Sequence, residues 1–72
     1  METIEKGICQ CVREPNGFDG LDGYKREYVY WFKRIESKDP YYQIFFQSGS
    51  QYQTCGIMNF LRFFEIKERF SS

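Results

Sequence analysis

Apolar and polar residues alternate at a period of two along most of this chain, and the period lengthens only near its C-terminal end. From Ile4 to Arg13, Ile8 and Val12 fall on even positions and Cys9 and Cys11 on odd ones, a first strand bounded by Glu14-Pro15-Asn16-Gly17. Residues 14–23, EPNGFDGLDG, carry a proline, three glycines and two aspartates, a density of turn formers that predicts an exposed loop. Its large apolar side chains, Phe18 and Leu21, either pin it to the core or stand at its tip as contact residues.

Tyr24 to Ser37 reads as the longest strand, with Tyr28, Tyr30 and Phe32 on one face and Val29, Trp31 and Ile35 on the other. Both faces are apolar, as in a strand that lines a core on one side and meets a neighbour or partner on the other. Lys38-Asp39-Pro40 breaks the run, and Tyr41 to Ser48 resumes it with Tyr41 and Phe45 against Tyr42, Ile44 and Phe46; a hairpin is the economical connection. Ser48-Gly49-Ser50 makes a second turn, and Gln51 to Cys55 a short fourth strand, so the strands form a meander. Ile57, Phe60, Leu61 and Phe64 then stand at i, i+3, i+4 and i+7, one stripe of a short helix. Thr54 is its candidate N-cap, and Asn59 and Arg62 fall on its solvent side. The pattern leaves residues 65–70 open between continued helix and a closing strand, and Ser71 and Ser72 are expected to fray.

Composition sharpens this picture. Seventy-two residues allow one domain, residues 1–72. Phe 8, Tyr 6 and Trp 1, in a chain without Ala or His, mean that aromatic rings must supply the core. Lys+Arg 10 against Asp+Glu 10 leaves no net field to gather nucleic acid or an anionic membrane. No apolar run reaches the roughly 18 residues of a membrane span, and the polar start at Met1 to Lys6 lacks a signal-peptide pattern, so a soluble, cytoplasmic protein is expected. Cys9, Cys11 and Cys55 are too few for a structural zinc site and ill spaced for a disulfide framework, which predicts buried free thiols, no metal and no cofactor.

The chemical inventory argues against catalysis. Without His there is no ordinary general base near neutral pH and no Ser-His or Cys-His pair. Asp19 and Asp22 are a possible carboxylate pair, but turn chemistry explains them better, and the spacing of a calcium loop is missing. Aromatics interleaved with basic residues, as in Tyr24-Lys25-Arg26 and Tyr30-Trp31-Phe32-Lys33-Arg34, are the ingredients of a single-strand-binding sheet, against which Glu27 and Glu36 interrupt the basic run. Trp31, Tyr41, Tyr42 and Tyr52 are amphipathic rings of the kind enriched at protein interfaces, including those between copies of one chain.

The order GLDGYK, EYVYWFKR, YYQIFF and YQTCGIMNFLRFFEI resembles small phage and prophage proteins that share a Gly-Leu-x-x-Tyr-Lys opening, a Tyr-rich strand and a final Phe-x-x-x-Phe before an acidic residue, here Phe60, Phe64 and Glu65. The resemblance spans roughly residues 7–66 and implies an SH3-like small barrel with a short helix before the last strand. The Gly-Asp loop and the very aromatic third strand depart from the pattern. No catalytic residues carry over. The resemblance implies a compact protein that binds and blocks a host or antiphage-defence protein, or one that sequesters a nucleotide signal.

The expectation is therefore a mainly β, α+β domain: a bent antiparallel sheet or SH3-like barrel of four to five strands with one short C-terminal helix. Its expected core is Ile8, Val12, Val29 or Tyr30, Phe32, Ile44, Phe46, Ile57, Phe60, Leu61 and Phe64. The expected function is non-enzymatic contact with a protein partner through Trp31, Tyr41, Tyr42, Phe18, Leu21, Lys33 and Arg34. The alternative is a small nucleotide-ligand or single-stranded nucleic-acid binding module.

Overall fold

The computed structural model describes residues 2–47 and 49–70, with side chains described from Glu5 onwards. Strands β1 (Glu2–Cys11), β2 (Val29–Glu36), β3 (Tyr41–Phe45), β4 (Tyr52–Gly56) and β5 (Phe64–Phe70) form one antiparallel sheet in the order β4-β3-β2-β1-β5, and a short helix α1 (Ile57–Phe63) links β4 to β5. This is the mainly β, α+β architecture expected from the pattern. The meander runs from β1 to β4, and β5 returns to pair with β1, so that β1 lies between the two chain-distant strands β2 and β5. Register shifts between Thr3 and Glu5 against β2, and between Ile8 and Cys9 against β5, are irregularities of the kind that bend a sheet. Ser71 and Ser72, where fraying was expected, lie outside the described residues. No helix among the described residues is long and apolar enough to cross a membrane.

Tyr24 does not begin the second strand. Residues 24–28 form a turn in which Tyr28 N–H donates to the Lys25 carbonyl at 3.2 Å and Glu27 adopts φ 74°, so pairing as β2 starts only at Val29. The open question over residues 65–70 is resolved as strand, because Phe64 leaves the helix with extended φ −130°, ψ 152° and enters the ladder opposite Cys11. Thr54 is not the N-cap: it lies within β4, and the capping position falls to Gly56, whose φ −71°, ψ 168° turns the chain into the helix without a side-chain hydrogen bond.

The core occupies the inner face of the sheet, under α1 and the loop between β1 and β2. Cys9, Cys11, Leu21, Tyr24, Tyr30, Phe32, Tyr42, Ile44, Cys55, Phe60, Phe63 and Phe64 make one buried cluster, with Phe46, Ile57 and Ile66 packed against it. Of the expected core, Phe32, Ile44, Phe60 and Phe64 are buried, Phe46 and Ile57 are partly so, and Tyr30 rather than Val29 takes the inner position. Three assignments are corrected. The odd positions of β1 face inward, so Cys9 and Cys11 are buried, Ile8 lies half-buried on the outer face and Val12 is exposed just beyond the strand. Leu61 is exposed, because the buried arc of this seven-residue helix is centred near Phe60 on the side of Phe63 rather than of Leu61. Of the alternatives Val29 or Tyr30, one of which was expected inside, Tyr30 is buried and Val29 points outward with Trp31.

Gly7 sets how closely β1 and β5 approach. A Cβ there would overlap the carbonyl oxygen of Glu68 and lie 3.0 Å from Cε1 of Phe32, so only glycine lets this buried strand position close against its neighbour. At the far end of β1, the carbonyl of Phe63 at the end of α1 accepts from the N–H of Val12 at 2.8 Å. That bond satisfies a helix-terminal carbonyl and ties α1 to the sheet.

Candidate functional site

The outer face of the sheet carries large side chains that the core does not use. Strand pairing places Ile8 opposite Trp31, Trp31 opposite Phe45, and Phe45 opposite Tyr52, one row across four neighbouring strands. Trp31 is 57% exposed and Tyr52 46%, while the Phe45 ring lies 5.0 Å from that of Tyr52. Phe70 joins from β5, its ring 5.3 Å from Trp31. Rings on an open sheet face leave apolar area in water that a partner would cover.

The next row along the strands is polar: Lys6 stands opposite Lys33, Lys33 opposite Gln43, and Gln43 opposite Thr54. Nζ of Lys33 lies 5.4 Å from the centroid of the Phe45 ring, a cation–π distance. Neither lysine forms an ion pair among the described residues; the ion pairs there are Lys67 with Glu65 at 3.0 Å and Arg69 with Glu5 at 3.2 Å. A cavity of about 410 Å³ opens on this face, lined by side chains that include Lys6, Trp31, Lys33, Phe45 and Gln47.

The residues picked from sequence do not share one surface. Trp31, Lys33 and Tyr41 fall on outer-face positions of their strands, Tyr41 half-buried opposite Ile35. Tyr42 is a correction: only 3% exposed, it stacks on Phe60 inside the core. Leu21 is a second correction, fully buried, and of the two roles open to it the structure selects pinning the loop. Phe18 stands away from the sheet face on α1, its ring 5.5 Å from Phe63 and 5.1 Å from the guanidinium of Arg62, while Asn59 donates to the Asp19 carboxylate at 2.7 Å. Arg34 is half-buried, with its guanidinium 6.0 Å from the Tyr42 ring rather than beside Lys33 in the outer rows.

Sequence reasoning passed over Lys6, Ile8, Phe45 and Phe70, and it left Tyr52 outside the contact set. The signal was present. Trp31 and Phe45 lie at equal distances from Lys38, and Phe45 and Tyr52 at equal distances from the Ser48–Gly49 bond, so counting outward from the two expected turns brings them into one row. Phe70 was not reachable this way, because β5 meets β1 through a bulge and a contact between chain ends.

The titratable groups of the core are structural. Burial pushes the Cys9 thiol up to about 12, with smaller contributions from Cys11 and Cys55, and burial likewise pushes Cys55 up to about 12. Such thiols stay protonated at neutral pH and are weak nucleophiles. All three cysteines are free and buried. Tyr24, also shifted upward by burial, donates its hydroxyl to the Ile44 carbonyl at 2.6 Å and stacks on Phe46 at 4.5 Å. Among the described residues, no three Cys, Asp or Glu side chains converge as metal ligands. Asp19 sits at φ 55°, a left-handed turn position that aspartate tolerates, in keeping with a turn role.

No family model matches the chain, and neither a curated protein nor a solved structure matches it.

Proposed function

We propose that this chain is a non-enzymatic binding protein that acts by direct contact with a protein partner, and that the outer face of β1 to β4 is the contact surface. The observation that carries this reading is the outer-face row Ile8, Trp31, Phe45 and Tyr52, in which Trp31 and Tyr52 are exposed and Ile8 and Phe45 half-buried, and which lies outside the buried cluster. The resemblance to compact phage proteins supplies the setting: a phage-encoded inhibitor in the cytoplasm of a bacterial host that blocks a host or antiphage-defence protein by occupying its surface.

Base stacking on the same rings is the competing reading. Against it, Glu68 is in register with Ile8 at one end of the ring row, and the polar row beside it continues past Lys33 as Gln43 and Thr54, which do not neutralise phosphates. A polyanion needs a longer cationic track than this face offers.

The test starts with size exclusion and light scattering, to learn whether copies of the chain cover the face. Affinity capture from a bacterial lysate with wild-type and Trp31→Ala baits follows, and then titration of the purified captured protein. A protein retained by wild type and lost with Trp31→Ala, whose affinity responds weakly to salt, supports the reading. Salt-steep binding to (dT)12, with log K falling against log salt at a slope near −2.8 for about four phosphates, overturns it.

A further inference from the structure

Lys6 and Lys33 form a direct cross-strand pair on an exposed sheet face, and like charges so placed repel each other. Neither has an ion-pair partner among the described residues, although the chain as a whole balances Lys+Arg 10 against Asp+Glu 10. Both lysines line the cavity of about 410 Å³ that Trp31 and Phe45 also line. An apolar recess and two lysines without an ion-pair partner among the described residues therefore share one mouth.

Resting on the protein-docking reading above, we propose that the partner presents an acidic segment to this face. Its carboxylate is taken between Lys6 and Lys33, and a neighbouring aromatic or branched aliphatic side chain enters the cavity beside Trp31 and Phe45. The charge is local, which favours one or two carboxylates over a polyanion. Lys6 and Lys33 are flanked in register by Phe70 and Gln43, with Glu68 one row away. Lys33, held over the Phe45 ring, places its ammonium at the edge of the apolar recess, so a ligand engages both features without reorganising the strand.

The experiment is a selection of random 12-residue peptides displayed on phage, run in parallel on wild-type protein, the Lys6→Glu/Lys33→Glu variant and Trp31→Ala. Lys6→Gln/Lys33→Gln serves as a second charge variant, and urea titration checks that each protein is folded. Wild type is expected to enrich peptides with Asp or Glu within about two residues of an aromatic or aliphatic side chain. The charge-reversed protein is expected to enrich Lys or Arg instead, and to bind the wild-type peptides about tenfold more weakly, the scale of losing and inverting exposed ion pairs. Enrichment without acidic bias, or the same peptides on both proteins, overturns the acidic-segment assignment while leaving docking on the rings intact. No enrichment on wild type above Trp31→Ala overturns the docking reading with it. Fluorescein-labelled (dT)12 that binds wild type and is released by charge reversal assigns the lysine pair to phosphates and overturns the acidic-segment proposal.

Discussion

The ring of Tyr42 stacks on that of Phe60 with centroids 3.8 Å apart and planes 7° from parallel, joining the third strand to the helix in the middle of the core. Phe60 also meets Phe32 and Phe64, each at 5.5 Å, so three sheet strands converge on one helical side chain. Phe60→Ala is therefore expected to cost about 3–5 kcal/mol, and Tyr42→Ala a comparable amount, in urea titrations. A double-mutant cycle should show about 0.5–1.5 kcal/mol of coupling between the two rings. A loss below about 1 kcal/mol for Phe60→Ala would show that the helix does not close the core.

Gly7 and Gly56 make a matched pair. A side chain at Gly7 meets the Glu68 carbonyl and the Phe32 ring, whereas a Cβ at Gly56 meets nothing within 4 Å, and φ there is an ordinary −71°. Gly7→Ala is expected to destabilise by about 1–3 kcal/mol or to abolish folding. Gly56→Ala is expected to be near neutral, within about 0.5 kcal/mol, because restriction of the unfolded chain offsets the poorer fit of alanine at a helix N-cap. Thermal melts of the two variants check the contrast.

The buried thiols give stability an alkaline limit. Cys9 and Cys55 stay protonated in the folded chain up to about 12, against 9.0 for a free thiol, so between those values the unfolded state sheds protons that the folded state keeps. Their contribution is complete below pH 9 and falls as pH rises towards 12, by about 1 kcal/mol per pH unit for each thiol. Cys9→Ser and Cys55→Ser should flatten that decline in urea midpoints measured from pH 8 to pH 11. At pH 8 the native thiols should react with an aromatic disulfide reagent far more slowly than those of the urea-unfolded chain.

The first four strands, both hairpins and the helix were legible in the sequence because alternation, turn formers and a change of period are local signals, whereas β5 was left open between helix and strand. Which face of β1 turns inward was not. Ile8 and Val12 are larger aliphatic side chains than Cys9 and Cys11, yet Gly7 must share a side with the cysteines to let β5 close, and that fixes the odd positions inside. The turn at residues 24–28 was hidden for a similar reason. Tyr28, Tyr30 and Phe32 read as one face of a strand starting at Tyr24, but the Tyr24 hydroxyl reaches Ile44 across the core, and Lys25 N–H donates to the Tyr30 hydroxyl at 2.8 Å. Of the candidate surface, Trp31 and Lys33 were legible as outward residues of a two-faced strand. Tyr42 and Leu21 were misplaced because an aromatic or aliphatic side chain next to a turn carries no mark of whether tertiary packing will cover it.

The charge pair yields a salt prediction. Lys6 and Lys33 are cross-strand neighbours of like charge, so Lys33→Gln is expected to leave stability unchanged or raise it by a few tenths of a kcal/mol, with the gain shrinking as salt rises. Urea titrations at low and high ionic strength check it.

The most direct test of the claim that the two faces of this sheet divide between folding and binding is to titrate the captured protein partner, by calorimetry, into wild type and Trp31→Ala matched for urea midpoint. Trp31 is exposed and lies outside the buried cluster, so the substitution should shift stability by no more than about 1 kcal/mol, the scale of a strand side chain and its cross-strand contacts. Affinity should fall at least about thirtyfold, as for a central aromatic anchor. Undiminished affinity in a folded Trp31→Ala protein would contradict the account.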